Sequence, residues 1–247
     1  MLDCQVQYGA ILWTLSEAIT QVGTPARPKT RRGAATRARI VEAAADLVFT
    51  RGVSGTSMDD IRAATGTSKS QLYHHFHDKQ DLVRAVITRQ TERVLDSQRP
   101  ELEALDSFAA LARWRRRLID LQRASGCVGG CPIGSLASEL VDSDERARQD
   151  LASSFSRWES YLIAGFSAMR QRGTLRRSAS PTDLATAVMT AIEGGLLLTQ
   201  TTRSTRPLEL ALDMAIAHVR SHAKTPGTGP GSAPSVRTRS RQSPPSR

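Results

Sequence analysis

Between Gly52 and Leu82 three helix starts follow one another so closely that the chain has little freedom in how this stretch folds. Ser57 stands three residues before Asp60, and Ser68 three before Gln71. At that spacing a serine hydroxyl accepts the N–H of the third helical residue, whose side chain reaches back to the serine N–H, and two otherwise orphaned donors are satisfied. Asp78 is a third start, and Gly52 and Gly66 supply positions where a helix can end in a left-handed residue. Upstream, Ile40, Ala44, Leu47 and Val48 recur at helical spacing. The pattern predicts a first helix from Thr36 to Gly52 and a very short second one. A third runs from Ser68 through Leu72 and Tyr73 to Phe76, and a fourth from Asp78 through Leu82, Val86 and Ile87 toward Arg99-Pro100.

Two short helices joined by a tight glycine-containing turn and preceded by a longer helix are the arrangement of a helix-turn-helix unit. Ile61 and Leu72 are its expected core anchors, with Ala64 small where the pair crosses and Gly66 in the turn. The exposed face of the third helix is left with Lys69, Ser70, Gln71, His74 and His75, groups that pair with base edges or phosphates. The helix N-terminus adds donors and a positive dipole end. An ordinary helical hairpin with a solvated polar face is the alternative reading of the same pattern.

The stretch from Thr36 to Ile87 closely resembles the N-terminal DNA-binding domain of TetR-family transcriptional regulators. The likeness runs through all four helices without a gap and includes the run SKxxLYHHFxxKxxL, here Ser68-Lys69, Leu72 to Phe76, and Lys79 to Leu82. His77 departs from the proline or lysine that members often carry, and it lies between the third and fourth helices. The resemblance implies that Lys69, Ser70, Gln71 and His74 meet bases or the groove floor. It also implies that Thr56, Ser57, Ser68, Tyr73, His75 and Lys79 meet phosphates.

The charge balance fits a polyanionic partner, but its location matters. Of 247 residues 34 are Lys or Arg and 24 Asp or Glu, a formal charge of +10. Residues 91–223 carry a net +1, whereas residues 224–247 carry +5 with no acid. Arg27, Lys29, Arg31, Arg32, Arg37 and Arg39 form a basic arm without an acidic residue, suited to phosphate contacts or equally to a solvated leader. The last residues, TPGTGPGSAPSVRTRSRQSPPSR, are rich in Pro, Gly and Ser without apolar periodicity and are expected to be disordered. The expected organisation is a disordered or partly helical basic leader (1–35), the DNA-binding domain (36–87), a helical effector-binding and dimerisation domain (88–223) and a disordered basic tail (224–247).

No alternating strand pattern appears between Thr36 and Ala223, so the fold class is all-α, with about nine helices. Phe108 to Ser125, Pro132 to Leu140 and Glu145 to Arg172 read as helices, as do Pro181 to Thr202 and Leu208 to His222. The segment from Gly126 to Glu139 resembles the GCPxGSLAxE segment of one branch of the family. A ligand cavity among these helices is implied by the resemblance, and its candidate lining residues are Trp114, Cys127, Phe155, Trp158, Leu162, Phe166 and Met189. The aromatic stripe on the long helix could equally be core. Leu184, Val188, Ala191, Gly195 and Leu198 on one of the last two helices, and Leu208, Leu212, Ala215 and Val219 on the other, are the expected dimer interface. Gly194-Gly195 inside a helix suggests close approach of another helix or a ligand, or else tolerated local weakness.

Other chemistries find less support. No stretch approaches the roughly 20 apolar residues of a membrane span. The apolar run Tyr8 to Val22 lacks the basic flank of a signal peptide, and three cysteines are too few and too odd for a disulfide framework, so a cytoplasmic protein is expected. His74 and His75 point about 100° apart on a helix and do not share an ion easily, so neither a metal nor any other cofactor is expected. Cys127 and Cys131 form a redox pair, a metal half-site or two buried small hydrophobes. An enzyme would need a nucleophile, base and orienter, and these cysteines have no evident partner histidine. Three readings are carried forward: a ligand-responsive DNA-binding regulator, a regulator switched by thiol oxidation at Cys127 and Cys131, and a DNA-binding protein needing no effector. The resemblance implies a homodimer on double-stranded, near-palindromic operator DNA, repressing until a small molecule binds.

Overall fold

Thr30 accepts the Gly33 N–H on its hydroxyl and opens α1 (Arg31–Arg51). This is the first of ten helices among residues 30–224, the part of the chain described by the computed structural model. The helix starts five residues before the expected Thr36. The expectations for Arg27, Lys29 and the two tails beyond this range lie outside the described residues. Both capping boxes form, Ser57 with Asp60 at the head of α2 (Met58–Thr65) and Ser68 with Gln71 at the head of α3 (Lys69–His75). Asp78 caps α4 (Lys79–Asp96), accepting the Asp81 N–H at 2.7 Å.

The helix beyond the nine expected is α5 (Arg99–Glu103), where Arg99-Pro100 reads as the end of the fourth. Proline disfavours helix interiors but suits a first turn, so the dipeptide opens a new helix after the break at Ser97. Five helices follow as expected: α6 (Phe108–Ala124), α7 (Pro132–Leu140), α8 (Glu145–Gln171), α9 (Pro181–Thr202) and α10 (Arg206–Ser221). Among the described residues no strand occurs, only an isolated bridge between Leu175 and Ala223 that ties the turn after α8 to the end of α10. No helix among these residues is long and apolar enough to cross a membrane.

Helix α4 is the shared beam of the molecule. It packs against α1 on one side and against α7 and α8 on the other. Toward α1, Gln90 donates to the Ala45 carbonyl at 2.9 Å, while Arg89 and Arg93 hold Glu42 at 2.5 and 2.6 Å. Toward α8, the buried Thr91 hydroxyl meets that of Ser154 at 2.8 Å and Arg84 pairs with Asp150 at 3.1 Å. One continuous apolar core therefore runs from Ile40 and Leu72 through Val86 and Leu95 to Trp158 and Val219.

The last two helices correct the expected interface. Leu184, Val188, Gly195, Leu208, Leu212, Ala215 and Val219 are buried within the single chain, where α9 packs on α8 and α10. A Cβ on Gly195 would lie 3.1 Å from Leu208 Cα and from Ala211 Cβ, so the glycine serves this intramolecular crossing. Ala191 is half-buried and Leu198 is exposed. The outward apolar face consists instead of Leu197 and Leu198 on α9 and Leu210 and Met214 on α10, all at least half exposed. The run Leu196-Leu197-Leu198 puts leucine on both faces of α9, so there periodicity alone does not choose which one packs inward.

Candidate nucleic-acid interface and an adjoining cavity

Helices α2 and α3 are positioned by local chemistry. The Ser57 hydroxyl and N–H both bind the Asp60 carboxylate, which holds its pKa below the usual carboxylate range. Gly66 takes the left-handed conformation between the helices, and Ile61 and Leu72 close the core beneath them. Ala64, expected at the crossing, is exposed. The turn is tightened by a pair that the sequence reading passed over: Thr65 donates to the Ile61 carbonyl at 2.8 Å and shares a buried 2.8 Å hydrogen bond with Thr67. A small polar residue on each side of a turn glycine is the signal that could have pointed to them.

The residues expected to meet nucleic acid divide into three groups. Ser57, Ser68, Lys69, Ser70, Gln71, Tyr73 and His74 are exposed on or beside α3. Gln71 Oε1 accepts the Ser68 N–H at 3.0 Å, which leaves its amide NH2 group as the part that can donate outward. His75 and Lys79 are half-buried. Burial first, then the neighbouring His74 and Arg37, lower the pKa of His75, so it offers an N–H rather than a cation. Lys79 Nζ donates to the Val53 carbonyl at 2.6 Å. Thr56 turns inward: it is 1% exposed and its hydroxyl is spent on the Gly52 carbonyl, so it braces the loop and its side chain does not reach a phosphate. Arg37 lies 4.9 Å over the Phe76 ring, joining the basic first turns of α1 to the end of α3.

Beneath this head lies a cavity of about 280 Å³. Phe49 of α1 forms one wall, Gln90, Arg93 and Val94 of α4 with Ser97 and Gln98 just past its end another, and Leu118, Leu121 and Gln122 of α6 a third. Gly130, Cys131 and Pro132, with Trp158 of α8 and Leu196 of α9, close it. Of the expected lining residues only Trp158 is part of this wall. Trp114, Leu162 and Phe166 are fully buried in the core, and Trp114 Nε1 donates to Gln98 at 3.0 Å. Met189 is buried and Phe155 packs half-buried against the core. Cys127 is buried with its carbonyl accepting from Arg203 at 3.0 Å.

In the loop from Gly126 to Gly130 every residue except Val128 has a positive φ, Cys127 included. Gly129, at φ 90°, passes so close beneath Phe49 that a Cβ would come within 2.0 Å of the ring. Helix α7 then starts with Cys131 as its cap, the sulfur accepting the Gly134 N–H at 3.4 Å. Burial, reinforced by Glu193, pushes the Cys131 thiol well above its usual range. The thiolate is the reactive form, so this cysteine is poorly suited to rapid oxidation.

Two sequence profiles match the chain along these divisions. Residues 40–86 match the family described as bacterial regulatory proteins of the tetR family, and residues 107–214 match the C-terminal domain of LmrA/YxaF-like transcriptional regulators. The chain is 29% identical over 184 residues to an HTH-type transcriptional regulator in the lacX 3' region of Lactococcus lactis subsp. lactis, covering 72% of this chain and 90% of the relative. It is 26% identical over 182 residues to the HTH-type transcriptional repressor DhaR of Mycobacterium sp. (strain GP1), covering 70% and 86%. A TetR transcriptional regulator from Chloroflexus aurantiacus superposes with a TM-score of 0.67 at 26% identity, covering 78% of this chain and 98% of that one. With the reading head, the helical body and both profile matches in agreement, the chain belongs to the TetR family of DNA-binding transcriptional regulators.

Proposed function

We propose that this protein is a homodimeric repressor that occupies a near-palindromic operator and releases it when a small molecule binds beneath the reading head. The observation that carries the reading is the exposed polar face of α3, with Lys69, Ser70, Gln71 and His74 turned to solvent while Leu72 anchors the helix from below. A helix so placed enters a major groove, and two of them about 34–36 Å apart read successive half-sites. The role of repressor is supported by the likeness to the transcriptional repressor DhaR. The outward stripe of Leu197, Leu198, Leu210 and Met214 supports a dimer through α9 and α10, because four large apolar side chains on one face are costly to leave in water. The cavity between head and body supports an effector, whose differential affinity for the operator-incompetent state is what shifts the equilibrium. Such a regulator acts where the DNA is, in the cytoplasm.

Mapping of bound DNA across the genome, followed by gel shifts on the recovered sites, tests the reading. Two-fold symmetric sites one or more helical turns long are expected. Uniform binding without a shared sequence would overturn it.

A further inference from the structure

The polar groups of the cavity wall are largely spent. Arg93, the charged side chain among those lining it, gives its guanidinium to Glu42 at 2.6 Å and Asp46 at 2.7 Å. Gln98 donates to the Val94 carbonyl and accepts from Trp114, Ser97 donates to the same Val94 carbonyl, and Gln90 Nε2 is committed to Ala45. Two buried polar atoms on these side chains have no partner among the described residues: Trp158 Nε1, a donor, and Gln122 Oε1, an acceptor. A buried group left unpaired costs a large part of its hydration, so whatever fills the cavity gains most by pairing both. An ion would find no free opposite charge in the wall and would forfeit its own hydration.

We propose that this cavity takes an uncharged, largely apolar molecule of modest size that accepts a hydrogen bond from Trp158 and donates one to Gln122. Its volume of about 280 Å³ lies at the small end of ligand pockets, roughly 300–1,000 Å³. The apolar wall of Phe49, Val94, Leu118, Leu121 and Leu196 supplies the rest of the contact. Phe49 belongs to α1, so the occupant touches the reading head directly. The assignment rests on the effector-responsive reading above and names the chemistry of the effector.

The test uses the full chain and three probes of one shape. 2,7-Dihydroxynaphthalene is neutral with two hydroxyls, naphthalene-2-carboxylate is an anion and 2-naphthylmethylammonium is a cation. Calorimetric titration should show the diol binding at least tenfold more tightly than either ion. Gln122→Leu and Trp158→Phe should each weaken the diol by about five- to tenfold, the worth of one hydrogen bond, while leaving the ions unaffected. Leu121→Trp should fill the cavity and abolish diol binding. Equal or tighter binding of an ion, diol binding indifferent to Leu121→Trp and to both polar substitutions, or no binding of any probe at millimolar concentration would each overturn the assignment. A gel shift with the recovered operator, run on the same preparations, reports separately on DNA recognition: a protein that shifts operator but binds no diol keeps its role as a DNA-binding regulator and loses only this assignment.

Discussion

The Glu139 carboxylate, on the last turn of α7, accepts the Val53 N–H at 2.8 Å and the Ser54 N–H at 3.3 Å, so a side chain of the C-terminal body holds the loop that leads into α2. The other edge of the same peptide unit region is held by Lys79, which donates to the Val53 carbonyl. Helix α7 begins at the cavity wall, with Cys131 as its cap and Pro132 as its first residue, and reaches this clamp seven residues after Pro132. A short rigid helix that touches both places is a physical route by which occupancy below can move the head above.

Glu139→Ala should therefore free the loop while leaving the core intact. Hydrogen exchange at the Val53 and Ser54 amides should accelerate, whereas α4 amides facing the core stay protected. The exposed clamp is worth about 1 kcal/mol, so melting should shift by only a few degrees. Unchanged exchange at both amides would show that the clamp carries no load in solution.

Leu197→Arg combined with Met214→Arg should give a helical monomer in sedimentation velocity. Since one head reads half a site, operator affinity should fall on the order of 10²-fold or more. Gly195→Arg should behave differently and destabilise the chain itself, because the new side chain meets the Leu208 backbone of its own subunit. A double mutant that stays dimeric would move the interface away from this stripe.

On the reading helix, Gln71→Ala should relax discrimination at one operator position by about 1–3 kcal/mol, with some loss of α3 stability because the Ser68 capping partner goes too. Tyr73→Phe should weaken all sequences alike, since an exposed phenol hydroxyl suits a phosphate. Lys79→Ala should lower the slope of log affinity against log salt by about 1. Binding measured on matched and scrambled duplexes across a salt series separates the three, and the division of labour fails if all lose specific and random binding in equal proportion.

Glu42 makes a pH prediction with a definite sign. Hydrogen bonds from Arg89 and then Arg93 hold its carboxyl at about 2 against an ordinary 4.5. The unfolded chain takes up this proton more readily, so the contribution to stability is complete above pH 4.5 and is lost as the pH falls toward 2. The pair is partly exposed, and screening keeps the effect near 1 kcal/mol. Urea denaturation of Glu42→Gln should show a flatter decline between pH 4.5 and 2 than the parent, and parallel curves would contradict it.

How far these features could be read in advance depends on how local their causes are. The caps at Ser57, Ser68 and Asp78 act within four residues, and all three form. Arg99-Pro100 was ambiguous because proline both ends one helix and starts the next. The cavity draws its wall from six helices and the loop before α7, and no spacing along one helix reveals which aromatic residues face it. Trp158 lines it while Trp114, equally apolar and equally helical, does not. The outward stripe on α9 is hidden for a related reason: Leu196, Leu197 and Leu198 are alike in sequence, and only tertiary packing assigns the first inward, to the cavity wall, and the others outward.

The final prediction concerns the start of α1. Arg31 and Arg32 occupy its first turn, which holds no acidic residue, although the positive end of the helix dipole disfavours cations there. Placed as they are, they cost the isolated protein about 0.3–1 kcal/mol each at low salt, a cost that makes sense if they meet phosphates of the operator. Replacing both with Glu should then raise the melting temperature of the free protein at low salt. The same change should weaken operator binding without altering sequence preference and should lower its salt dependence. Melting curves and fluorescence anisotropy on one preparation read both effects. Stabilisation with no loss of affinity at any salt concentration would make these arginines an inert, solvated helix end.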